Sequence, residues 1–199
     1  MYPLLSRCRK RHWASPLAAG AVIAVAVTTA PAHAVSAATP EKCTNGKRDS
    51  RSFSSVDDRE IRWTEATKYK GAHSWAISRW YTSNYRLNKI RIAPDSAVTS
   101  NDLHWKEKAK ADGALATWER HGAIGATDYI YMNKKYLDGS GEYASEYWRK
   151  AAAAHELGHA LGYCHKKPEK KTIMASKIDQ LASNQPTEFD RAAYHKLWG

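Results

Sequence analysis

Eleven residues, His155-Glu156-Leu157-Gly158-His159-Ala160-Leu161-Gly162-Tyr163-Cys164-His165, constrain this chain more than any other stretch. Two histidines four residues apart project from one face of a helix, so both imidazoles reach a single ion. The alanines at 151–154 just before them are strong helix formers. Gly162 is placed to end the helix, because glycine adopts the left-handed backbone that a sharp C-terminal turn demands. The reversed chain then returns His165 as a third ligand. Three protein ligands beside one open position is the catalytic rather than the structural pattern for Zn2+. Glu156 takes no ligand position, yet lies close enough to handle the proton of a water at the ion.

The first 34 residues read as a secretory leader. Arg7, Arg9, Lys10 and Arg11 form a basic head, residues 17–30 an apolar run, and Ala32-His33-Ala34 a cleavage site. The apolar run is short for a bilayer span, so an uncleaved anchor is the weaker reading. No adjacent arginine pair points to a twin-arginine route. The remainder is one domain's worth of chain, with residues 35–58 a loose Ser-, Thr- and Lys-rich lead-in and residues 59–199 the folded body. The chain holds 31 Lys and Arg against 20 Asp and Glu. Four basic and no acidic residues leave with the leader, so the mature chain keeps a net charge of about +7. Its basic residues are scattered, which argues for solubility and against nucleic acid as a partner. No membrane association is expected after leader removal, and a monomer is.

Cys8 also leaves with the leader, and Cys43 and Cys164 remain. In an oxidising compartment a leftover pair predicts a disulfide. The alternative makes Cys43 a removable thiolate ligand that keeps the metal latent.

Strands are expected at 60–64, 89–92, 103–108, 114–119 and 127–132, where polar and apolar residues alternate or β-formers cluster. Helical spacing from Tyr69 places Ala72, Trp75, Ala76 and Trp80 on one stripe. The metal helix is expected to begin near Ser145, and residues 166–171 to form an exposed lysine-rich loop. A last helix over 187–198 turns Phe189, Ala192, Ala193 and Leu197 inward behind a capping box of Thr187 and Asp190. The oxygen-rich loop 138–142 is a weak candidate for Ca2+, with a plain turn preferred. His73, His104, His121 and His195 stand alone and read as surface or packing residues.

The run from His155 to His165, followed nine residues later by Met174, resembles the metzincin clan of zinc metallopeptidases, and most closely its matrixin-like secreted bacterial members. The resemblance implies an α+β domain with a twisted mixed five-stranded sheet, a first helix, a zinc-binding helix, a Met-turn at Met174 and a C-terminal helix. It implies His155, His159 and His165 as zinc ligands and Glu156 as general base. It also implies an extended peptide lying along the 114–119 edge strand, with residues 175–181 walling a pocket beyond the ion. Ser176 stands where astacins and serralysins carry a tyrosine ligand, and the region around Cys43 lacks the matrixin latency motif.

The functional expectation is therefore a secreted, extracellular zinc endopeptidase acting on protein or peptide substrates. Two alternatives share the centre: a cell-wall amidase or narrow processing protease, and a non-catalytic binding protein.

Overall fold

The structure, a computed structural model, describes residues 39–122 and 126–199; the expected leader, its expected cleavage site and Cys8 lie outside the described residues. Five strands form one mixed sheet: β1 (Glu60–Glu65), β2 (Arg91–Pro94), β3 (Leu103–Lys108), β4 (Ala116–Glu119) and β5 (Asp128–Asn133). Their order is β2-β1-β3-β5-β4. The β1–β2, β1–β3 and β3–β5 pairs are parallel, and β4 runs antiparallel to β5 as an edge. Alternation along β1, β3 and β5 places Ile61, Leu103, Trp105, Ile130 and Met132 on the covered face, where all five are buried.

Four helices complete the α+β fold: α1 (Lys70–Trp80), the single turn α2 (Lys134–Leu137), α3 (Glu146–Ala160) and α4 (Glu188–Trp198). The α1–α3 contact is close because α3 presents Ala151, Ala153 and Ala154, all fully buried, to its neighbours. Trp80 at the end of α1 is locked to α3, its indole N–H donating to the Ala154 carbonyl at 2.7 Å. Its ring also stacks on Tyr163 just beyond α3. Among the described residues no helix is long and apolar enough to cross a membrane.

Several expectations are corrected. The second strand lies two residues later than 89–92, at the sheet's outer edge, where Pro94 costs no ladder hydrogen bond. The buried stripe of α1 holds His73 in place of Trp75; Trp75 is half-buried and donates its indole N–H to the Asn184 carbonyl. On α4 the inward residues are Asp190, Ala193, Tyr194, Leu197 and Trp198, while Ala192 is exposed and Phe189 half-buried. The stripe is rotated because the Asp190 carboxylate goes inside: it accepts hydrogen bonds from the Ile173 N–H and the Thr172 hydroxyl while closing the capping box with Thr187. In the loop after His165, Lys166 is buried, although residues 167–171 that follow it are exposed.

The lead-in from residue 39 wraps the turn after α3 as a strap. Cys43 and Cys164 form a disulfide. Backbone hydrogen bonds run from the Thr44 N–H to the His165 carbonyl, from the Ser50 N–H to Gly162 and from the Ser55 N–H to Ala160. With both sulfurs joined, Cys43 offers no thiolate for a latent metal.

Candidate metal centre

The helix that carries the first two histidines starts at Ser145, whose hydroxyl accepts the Trp148 N–H, and runs through four consecutive buried alanines. Small residues bring α3 close to its surroundings. A Cβ on Gly158 would lie 2.4 Å from the Met174 sulfur, so the helix and the buried methionine touch only because residue 158 is glycine. At Gly162 the backbone turns with φ +91°, a conformation glycine adopts freely. The turn doubles the chain back, and His165 faces the helix it has just left.

The three imidazoles converge. Nε2 of His155 lies 3.1 Å from Nε2 of His159 and 3.2 Å from Nε2 of His165, and the His159–His165 separation is 3.1 Å. The Nδ1–H of His155 donates to the Ile173 carbonyl and that of His159 to the Tyr163 carbonyl, each at 2.7 Å. With those protons placed on Nδ1, the facing Nε2 atoms carry lone pairs and are not bonded to one another. Three lone pairs pointed at one space repel unless a cation sits among them. Zn–N bonds of 2.0–2.1 Å at tetrahedral angles put ligand nitrogens about 3.3 Å apart. The donor set therefore fits a zinc-like ion, and backbone acceptors hold two of its rings in the ligating tautomer. Burial favours the neutral form of all three rings, most strongly at His159, and pushes His165 down to about 4.

Glu156 lines the same cleft, buried at 7% exposure. One carboxylate oxygen accepts the backbone N–H of Trp118 on β4 at 2.7 Å. Burial pushes the carboxyl up to about 7, against the pull of that N–H and of Lys108. The cleft encloses about 690 Å³. Its lining includes residues 113–118, leading into and along β4, and residues 175–179 with Leu181, which overlap the 114–119 and 175–181 segments that the resemblance implied.

Met174 is buried beside Gly158. In the 138–142 loop the Asp138 carboxylate is already engaged, accepting from Lys68 at 2.5 Å and from the Tyr69 hydroxyl at 2.6 Å. His73 and His104 are packing residues. The first sits between the Trp63 and Trp105 rings, and the second hydrogen-bonds Thr64. His121 and His195 do not join the three imidazoles: His121 lies against the Tyr129 ring and His195 against the Tyr85 carbonyl. Sequence reasoning missed the partners that arrive from a distance: the Trp118 N–H on Glu156, and the Asp49–Lys166 pair behind the third histidine. Backbone donors and buried ion pairs leave no mark on a hydrophobicity pattern.

No family model matches the chain, and no curated protein does. Among solved structures it is similar to a chain described as the GM1-bound form of the ECX AB5 holotoxin, with a TM-score of 0.51 and 14% identity over 80% of this chain and 86% of that one. At that identity the likeness is one of fold. It corrects the expectation of a zinc endopeptidase: the structure matched is described as a GM1-bound AB5 holotoxin.

Proposed function

We propose that this chain is a zinc protein of narrow range, a secreted processing hydrolase, metzincin-like in its centre, that cuts few polypeptide partners. The observation that carries this reading is the convergence of three Nε2 atoms within 3.2 Å of one another, two of them fixed as acceptors by their Nδ1 hydrogen bonds. A purely structural site closes its fourth position with another protein ligand, and among the described residues no fourth His, Cys, Asp or Glu joins this group.

His155, His159 and His165 would hold the ion. Zinc so held would supply a Lewis acid able to make water acidic and polarise a carbonyl. The chain's own residues do the rest. Glu156 accepts the proton of the attacking water and returns it to the departing amine as the C–N bond breaks. Trp118 fixes that carboxylate at the cleft wall through its backbone N–H. The free edge of β4 offers main-chain donors and acceptors to an extended segment. The disulfide and the leader support an extracellular setting.

Metal analysis of the purified protein tests the centre, with one zinc expected per chain and none in His165→Ala. Product sequencing after incubation with a proteome-derived peptide library tests hydrolysis. A few recurrent cuts are expected, abolished by chelator and by Glu156→Ala. A second reading, a non-catalytic binding protein, is favoured by the likeness to a structure described as a GM1-bound holotoxin. Retention of zinc with no cuts in any library, together with capture on GM1-coated plates, would establish it instead.

A further inference from the structure

Beside Trp118 a second open recess of about 490 Å³ is walled by Phe53, Trp118, Arg120, His121, Gly122 and His159. His159 and Trp118 border both spaces, so an extended segment lying along β4 and crossing the metal centre passes from one into the other. The recess is held open by a relay. The Trp118 indole N–H donates to the Ser55 hydroxyl at 2.9 Å, and Ser55 donates to one oxygen of Asp128 at 2.7 Å. The other Asp128 oxygen accepts the His121 N–H at 2.8 Å. The strap thereby presents Phe53, 57% exposed, edge-on to the Trp118 ring at 5.5 Å.

Over this aromatic corner sits the Arg120 guanidinium, 5.2 Å from the Phe53 ring. Among the described residues Arg120 has no carboxylate within ion-pair distance, and its neighbour Glu119 is already paired with Lys108. The residues outside the described set contain no Asp or Glu. An exposed large aromatic and an unpaired guanidinium, both anchored beside the metal centre, leave an anion as the missing partner.

We infer that this recess is a specificity subsite for an acidic side chain of the bound polypeptide, with Arg120 pairing its carboxylate and Phe53 and Trp118 packing its methylenes. The inference rests on the polypeptide-binding reading above, and the test separates the two. The zinc-loaded protein is incubated with a proteome-derived peptide library and the products are sequenced. Asp and Glu should be enriched roughly two- to fivefold on the amino-terminal or the carboxy-terminal side of the cut, at one fixed distance, as an exposed charge pair allows. Arg120→Glu should replace that preference with Lys and Arg, and Arg120→Lys should retain it. The same peptides printed as an array are probed with Glu156→Ala. Acid-selective array binding without cleavage by the wild type overturns hydrolysis and keeps the subsite. Cleavage without an acidic preference, or a preference that Arg120→Glu leaves unmoved, overturns the subsite. Absence of both cleavage and array binding overturns both.

Discussion

Lys166 and Asp49 form an ion pair sealed from solvent, Nζ standing 2.5 Å from Oδ1 with the two side chains 2% and 0% exposed. The same carboxylate oxygen accepts the Cys164 N–H at 3.0 Å. Burial raises the Asp49 carboxyl, and Lys166 and the Cys164 N–H pull the other way. The pair therefore grips the residues on either side of His165 and ties the third ligand's turn to the strap. Breaking it from one side leaves a charge with no partner and no water.

Lys166→Met should accordingly cost about 3 to 5 kcal/mol of stability, whereas removing both charges in Lys166→Met/Asp49→Leu should cost clearly less. Urea unfolding of the two variants measures the difference. Equal losses would show that the lysine acts through packing alone. Zinc affinity should fall with Lys166→Met as well, since His165 sits next to it in the chain.

The disulfide joins the same two segments covalently, closing a sequence separation of 121 residues. Chain entropy assigns such a loop roughly 4 to 5 kcal/mol, as an upper value. In Cys43→Ser/Cys164→Ser the strap keeps the Asp49–Lys166 pair and its backbone hydrogen bonds to residues 160, 162 and 165. The expected outcome is a lower melting temperature with one zinc still bound per chain. Loss of zinc from this variant at ambient temperature would mean that the covalent tie, and not the polar contacts, positions His165.

The ligand helix was legible in the sequence because its signals are local: an alanine run, histidines at i and i+4, and a glycine where φ reaches +91°. The capping box of Thr187 and Asp190 was legible for the same reason. What escaped is the burial of polar residues whose partners are far away. Asp190 faces inward to receive Thr172 and Ile173, which rotates α4 away from the Phe189–Ala192 stripe that apolar spacing favoured. Lys166 looked like one more solvated lysine, because its partner lies 117 residues earlier. The recess beside Trp118 could not be read either, since Phe53 and Arg120 meet only through the fold.

At Gly162 the backbone and its neighbour both exclude a side chain. A Cβ there would meet the Ser50 carbonyl oxygen at 2.4 Å, and an L-residue at φ +91° is strained in any case. Gly162→Ala should cost about 3 kcal/mol or more and loosen zinc, because the turn delivers His165. Gly158→Ala meets the Met174 sulfur at 2.4 Å, a side-chain atom able to swing aside, and should cost less. Denaturant midpoints and zinc titrations of both variants give the comparison. A larger loss at 158 than at 162 would contradict it.

His73 makes stability depend on pH. Its ring lies 4.3 Å from Trp63 and 4.8 Å from Trp105, is 2% exposed, and has no hydrogen-bond partner on either nitrogen. The nearest charge facing it is Glu65, at 3.7 Å. Burial lowers the ring from the ordinary 6.5 to about 4. The unfolded chain therefore binds a proton between pH 6.5 and 4 that the folded chain refuses. Stability contributed this way is complete above pH 6.5 and drains as pH falls toward 4, by up to about 3 kcal/mol. Asp102 acts with the opposite sign: half-buried and raised to about 6, it favours the folded state as pH falls from 6 toward its unfolded value near 3.8. His73→Phe, which keeps an aromatic ring between the two tryptophans, should remove only this histidine's share of the loss on acidification, leaving the shares of the buried His155, His159 and His165 and the opposing trends of Asp102 and Glu156. Urea unfolding of the two proteins at pH 7.5, 6 and 4.5, both stripped of metal by chelator, isolates the histidine as the difference at each pH. A difference that stays constant across the three would assign the acid sensitivity to other groups.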